Sequence, residues 1–371
     1  MKKTLAAVAV LGAFAGSALA ADVTLYGIVD LGFGYSNVDN NGTKSDSWGM
    51  ESGQDSASRI GFKGTEQISD GLTVGFQLET SFDADTGVNE KAFFHRISRL
   101  YVQTDFGEVG MGRYGMLDST TGPYSLAGSG IHATTGVAGA GSTGIIFLGQ
   151  DSRRDNAITY KSPKFGGFQV QAQFAGDSAE EYSSDSNRYY ALGATYDVGA
   201  FHSALVVSSR DYKAGSLVGE REKFELDDGL VVTGGVSYDF GVTKAFVAGQ
   251  YFDDVKYTSM AKFDAAGVMS TAEGAKAEPF AIEGYGVTLG AKTPVLGGVL
   301  TTQVGYGDAE AVEYSDVTYK AWNVAALYHY GLSKRTTVYG ALGYANQKEE
   351  FGIEEYEKKA TTFGVGMVHT F

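Results

Sequence analysis

The sequence predicts an all-β chain that closes into a transmembrane antiparallel barrel of sixteen strands. Three observations carry that prediction. Apolar and polar residues alternate with period two in segment after segment, which puts one face of each strand against lipid and the other against water. Short turns and long connections follow one another in regular alternation along the chain. Most of the 44 Asp and Glu fall in the long connections, where charge costs least, because an outward band in hydrocarbon cannot hold it cheaply.

Each element follows in order. Residues 1–20 read Met1-Lys2-Lys3, an apolar run from Leu5 to Phe14, then Ala18-Leu19-Ala20. A basic start, a short apolar core and an A-x-A site are expected of a cleaved secretory signal peptide, with residues 21–371 as one barrel domain. The run is shorter than the ~20 residues that span a bilayer as a helix. Clean alternation appears at Leu72, Val74, Phe76 and Leu78, at Phe168, Val170, Ala172 and Phe174, and at Phe363, Val365 and Met367. Sixteen such strands begin near 22, 58, 72, 93, 107, 152, 166, 188, 200, 230, 242, 284, 298, 318, 335 and 361. Short turns include Ser69-Asp70-Gly71, Asp105-Phe106-Gly107, Asp197-Val198-Gly199 and Asp239-Phe240-Gly241. Long connections are expected at 38–57, 115–150, 211–228 and 253–283. A soluble sandwich would not sort its connections into two lengths so regularly.

Composition excludes other classes. The chain has no Cys, so disulfide scaffolds, thiol enzymes and thiolate metal sites are out. Its formal net charge of −15 argues against nucleic acid, which requires a basic face. No cofactor or metal is expected.

In their order along the chain, several motifs resemble the Gram-negative general diffusion porins. They are Val23-Thr24-Leu25-Tyr26-Gly27, Ser58-Arg59-Ile60-Gly61-Phe62-Lys63-Gly64 and Arg99-Leu100-Tyr101-Val102 with Phe106-Gly107 and Gly112-Arg113. Next come Arg153-Arg154-Asp155-Asn156, Tyr160 and Ser162-Pro163, and finally Phe363-Gly364-Val365-Gly366 through Phe371. The resemblance implies a homotrimer of sixteen-stranded barrels in the outer membrane, each with its own water-filled pore, short periplasmic turns and long extracellular loops. It implies that the third long loop folds into the pore opposite a basic wall, and that Phe371 belongs to a C-terminal signal read by the barrel-assembly machinery. Lipid and lipopolysaccharide are the expected surroundings, and small hydrophilic solutes and anions the expected traffic.

Parity assigns the wall. Ile60 and Phe62 face lipid, so Arg59 and Lys63 face the lumen; Leu100 and Val102 face out, so Arg99, Tyr101 and Gln103 face in. With Ile158 and Tyr160 outward, Arg153 points inward and Arg154 outward near the rim, an assignment that a one-residue bulge would exchange. Arg113 shares outward parity with Val109 and Met111, at a subunit interface or the rim. The long connection 115–150 holds one acid, Asp118, and no Lys or Arg; it offers Thr120, Thr121, Ser125, Ser129, Thr134 and Thr135, with Tyr124 and His132. A basic wall facing a nearly neutral loop predicts anion preference despite the acidic total, weakened by the lumen-parity acids Asp30, Glu79 and Glu108.

Other readings carry less. Gly139-Ala140-Gly141-Ser142-Thr143-Gly144 matches a dinucleotide fingerprint but lacks the following helix. Asp83-Ala84-Asp85-Thr86-Gly87 lacks the spacing of a calcium loop, and Asn41-Gly42-Thr43 is a bare sequon. An outer-membrane barrel enzyme would need a nucleophile beside a His. Yet His95, His132, His202, His329 and His369 are scattered, and His369 reads as a girdle residue near the periplasmic rim. A substrate-specific channel or an adhesin using the acidic loops remains the alternative.

Overall fold

The structure is a computed structural model and describes residues 23–89, 91–128, 130–133, 145–148, 153–176, 187–212, 228–263, 276–312 and 314–371. The leader, Ser129, Thr134, Thr135 and the Gly139–Gly144 stretch lie outside the described residues.

The described residues form seventeen strands. The first group is β1 (Thr24–Asn40), β2 (Thr43–Ser52), β3 (Arg59–Ser69), β4 (Leu72–Ser81), β5 (Ile97–Thr104) and β6 (Gly107–Gly115). Then come β7 (Arg153–Lys161), β8 (Phe168–Gly176), β9 (Arg188–Val198), β10 (Phe201–Asp211) and β11 (Gly229–Asp239). The last group is β12 (Lys244–Phe263), β13 (Lys276–Val295), β14 (Gly298–Ala311), β15 (Tyr314–Gly331), β16 (Thr336–Phe351) and β17 (Glu354–Thr370).

All pairings are antiparallel, and the sheet closes on itself where β1 pairs with β17 from Ile28↔Thr370 to Asn40↔Lys358. Reciprocal backbone hydrogen bonds between Gly27 and Phe371 extend the seam to the last residue. β2 pairs with the upper half of β1 and β3 with its lower half. The two are therefore halves of one stave, and the barrel has the sixteen staves expected from the sequence.

Two expected connections are partly strand. Within 38–57, Asn41 and Gly42 both take positive φ and close a two-residue hairpin into β2, the turn that suits the twist of antiparallel strands. Within 253–283, β12 and β13 run on well past the lipid-facing band. The alternation of short and long connections also fails late in the chain, where only 312–313 and 352–353 separate β14 to β15 and β16 to β17. Strand above the membrane has no lipid to face, so it carries no period-two signature; β2 is exposed almost throughout.

The outward face is apolar, with Leu100, Met111, Ile158, Leu205 and Leu289 all exposed. Aromatic belts bound it. Tyr251, Tyr285, Tyr306 and Trp322 follow one another across neighbouring strands, and Phe168 packs on Tyr196 at the opposite rim, 4.3 Å between ring centroids. Such rings sit where lipid meets water.

The buried core lies inside the barrel. It runs from Tyr114, Leu117 and Tyr124 through Ile131 and Ile145 to Phe252, Ile282 and Tyr319, because the β6–β7 loop lies against the inner wall. At the outer mouth, a bulge at Asp253–Asp254 precedes the point where β12 reaches β16. There the Met260 N–H donates to Glu349 at 2.9 Å, and Gln347 donates to the Tyr257 hydroxyl at 2.6 Å.

Candidate pore constriction

The β6–β7 loop is seated by side chains of the wall it lies on. The Leu117 N–H donates to Gln173 Oε1 on β8 at 3.0 Å, and Ser237 on β11 donates to the Gly130 carbonyl at 2.7 Å. The Leu148 N–H donates to Gln250 Oε1 on β12 at 2.7 Å. Two wall glycines permit the close approach. A Cβ on Gly110 would collide with the Tyr124 hydroxyl, and one on Gly286 with the Ile146 carbonyl. The described parts of the loop thus touch the inner face from β6 to β14 and leave the β3–β4 face open.

Asp118, Tyr124 and His132 are buried, while Thr120, Thr121 and Ser125 are only partly so. Asp118 accepts hydrogen bonds from Tyr189 on β9 at 2.9 Å and from Ser208 on β10 at 2.8 Å. It also ion-pairs with Arg210 on β10 at 3.3 Å. The loop's one acid is therefore spent on anchoring, not on lining the pore. Tyr124 donates to Glu108 at 2.5 Å, and its ring meets Tyr114 edge-on at 4.9 Å; burial and the Glu108 carboxylate push its hydroxyl pKa up. His132 packs edge-on against Phe147 at 4.4 Å beside Thr288, its Nε2 without a hydrogen-bond partner. Burial pushes its ring down to about 4, so it stays neutral.

On the open face the expected cations appear, with one more. Arg99 lies between the rings of Tyr101 at 4.4 Å and Tyr124 at 5.1 Å, and pairs with Glu108 at 3.1 Å. Arg96, which precedes β5, pairs with Glu79 at 2.7 Å, and Tyr26 donates to the same carboxylate at 3.0 Å. Arg59 stands within electrostatic reach of Arg96 and Glu79. Lys63 is exposed over the Tyr26 ring at 5.3 Å. Among the described residues neither Arg59 nor Lys63 makes an ion pair, so four cations meet two carboxylates and two cations remain unpaired.

Some expectations change. Asp30 has lumen parity but is fully buried. It accepts the N–H groups of Asp55 at 2.8 Å and Ser56 at 2.7 Å and the Tyr339 hydroxyl at 2.8 Å. It pins the 53–58 segment to the wall instead of lining the pore. Glu79 and Glu108 are likewise engaged by Arg96 and Arg99. Arg153 and Arg154 exchange sides: a bulge at Asp155–Asn156, with Asn156 at φ 50°, sets Arg154 opposite inward Tyr114 and Arg153 opposite Gly115. Arg113 sits at the outer end of β6, donating to the His95 carbonyl at 2.6 Å and pairing with Asp155 at 2.7 Å. His369 lies at the periplasmic rim, bonded to Thr336 at 2.9 Å.

Two arginines that pair with inward acids, Arg96 with Glu79 and Arg210 with Asp118, were not expected from the sequence. Arg210 follows the inward positions Val206 and Ser208, a signal the alternation contains. Arg96 precedes its strand and carries no periodic signal.

A closed barrel of sixteen staves, with an inward loop facing charged wall, defines a diffusion channel. The chain belongs to the Gram-negative porin family, whose model matches residues 6–350. It is 30% identical to outer membrane porin protein 32 of Delftia acidovorans, over 94% of this chain and 91% of that one. Among solved structures it is similar to an anion-selective porin from Comamonas acidovorans: 26% identity, TM-score 0.65, covering 95% of this chain and 100% of that one. It also shares its fold with a trimer form of OmpT, an outer membrane protein of Vibrio cholerae: 16% identity, TM-score 0.61, 95% and 99% covered. The protein is an outer-membrane channel for passive diffusion of small hydrophilic solutes and ions, and its family is one of channels, not enzymes.

Proposed function

We propose that this channel prefers anions. One observation carries the reading: Arg210 consumes the loop's only acid, leaving a neutral loop opposite unpaired Arg59 and Lys63. At ~4 Å a unit charge pair is worth about 4 kcal/mol at an effective dielectric of 20. A narrowing walled by protein therefore follows its own lining rather than the chain's net charge. The likeness to an anion-selective porin supports the same conclusion.

The reversal potential in a planar bilayer under a potassium chloride gradient tests it. The expected value lies on the chloride side and moves toward zero in Arg59→Ala/Lys63→Ala. A potassium-side value in the unaltered channel overturns the reading.

The proposal extends to assembly as a homotrimer, to removal of residues 1–20 as a signal peptide and to Phe371 as part of the signal for the barrel-assembly machinery. Outward Phe33, Tyr35, Trp48 and Met50 on the β1–β2 hairpin supply an apolar face for neighbouring copies. Lipid and lipopolysaccharide surround the rest. Three-step conductance and a heat-sensitive trimer band in gels are the expected signatures of that assembly.

A further inference from the structure

Lys244 opens β12 and stands directly opposite Lys292 of β13. Both share the inward face of Phe246, which is buried, and both are half-buried themselves. Like charges directly opposite each other on one face repel, so strand pairing alone does not favour this arrangement. A shared platform holds it: the two ammonium groups lie over the same Phe246 ring, 5.2 and 5.5 Å from its centroid. An aromatic face attracts a cation, and one ring attracting both draws their heads together instead of letting them splay.

Among the described residues no carboxylate closes an ion pair with either lysine. Asp55, whose charge reaches Lys292, is engaged by His329 at 3.1 Å. The two lysines sit at the periplasmic end of the lumen, on the opposite part of the wall from Arg59 and Lys63.

We propose that Lys244 and Lys292 form a second anion station, which takes solutes bearing a multiply charged oxyanion group, such as inorganic phosphate. Two ammonium groups offer six donors to an anion with several oxygens, and binding one neutralises the mutual repulsion. A single chloride uses less of the site. The station deepens the anion preference proposed above but rests on different residues.

The test adds inorganic phosphate at pH 7 to the channel in a planar bilayer at constant chloride. The chloride current is expected to fall along a saturating curve. In Lys244→Gln/Lys292→Gln the half-effect concentration rises about tenfold or more, the cost of losing charged hydrogen bonds. Phe246→Leu, which keeps both charges but removes the platform, gives an intermediate value, and the dependence on the two lysines persists in an Arg59→Ala background. Unchanged heat-modified gel mobility checks that the variants fold. A non-saturating response, or an equal one in the double lysine variant, overturns the station. The two proposals separate cleanly: a potassium-side reversal potential in chloride alone removes the anion preference, while lysine-dependent phosphate inhibition still supports the station.

Discussion

Asp118, on the inserted loop, and Arg210, on the tenth strand, form an ion pair of 3.3 Å with both side chains almost wholly buried. The pair fastens the loop to the wall and removes its only negative charge from the pore. Breaking such a pair from one side leaves an uncompensated buried charge, which costs about 3–5 kcal/mol. Asp118→Asn and Arg210→Met are each expected to lower thermal stability and to make single-channel current noisy. Removing both together will cost less than the sum of the two. A double-mutant cycle on melting measures the coupling; strict additivity would mean the pair does not hold the loop.

Arg99 and Arg59 are expected to respond differently. Arg99 is paired with Glu108 and stacked on two tyrosines, so Arg99→Ala will disturb the loop more than the selectivity. Glu108→Gln frees the Arg99 charge and is expected to shift the reversal potential further toward chloride. A shift toward potassium in Glu108→Gln would show that the carboxylate does not offset Arg99.

Gly110 leaves room for the Tyr124 hydroxyl. Gly110→Ala is expected to displace Tyr124 from Glu108 and unseat the start of the loop, seen as faster proteolysis within 116–128. Tyr124→Phe, which removes the hydroxyl, partly restores protection in the same background. Failure of that rescue would place the clash elsewhere.

His132 gives the loop a pH dependence with a definite sign. Its folded pKa, about 4, lies below the ordinary ~6.5. A released loop therefore takes up a proton that the docked loop refuses. Docking is at full strength above pH 6.5 and weakens as pH falls, by about 3 kcal/mol at pH 4. Current noise is expected to grow across that window and to lose its pH dependence there in His132→Phe.

The barrel was legible because its signal is local and repeated. Ile60 and Phe62, or Leu100 and Val102, declare their faces by parity alone, and parity put Arg59, Lys63 and Arg99 in the lumen. β2 was not legible, since strand beyond the lipid needs no alternation. The loop's position was expected from family resemblance, and its neutral character from composition.

By itself the sequence determined the lipid-spanning staves, the outward face where alternation is clean and the scarcity of charge on the loop, all of which follow from short-range periodicity and residue type. Only the tertiary structure decided which charges remain free. That Arg210 neutralises Asp118, that Asp30 holds the 53–58 segment and that Arg96 occupies Glu79 depend on contacts between distant segments. The exchange of Arg153 and Arg154 depends on a bulge at Asn156 that reverses parity beyond it. A pattern read along one strand carries no information about a partner across the lumen, and the charge of a pore is set by those partners.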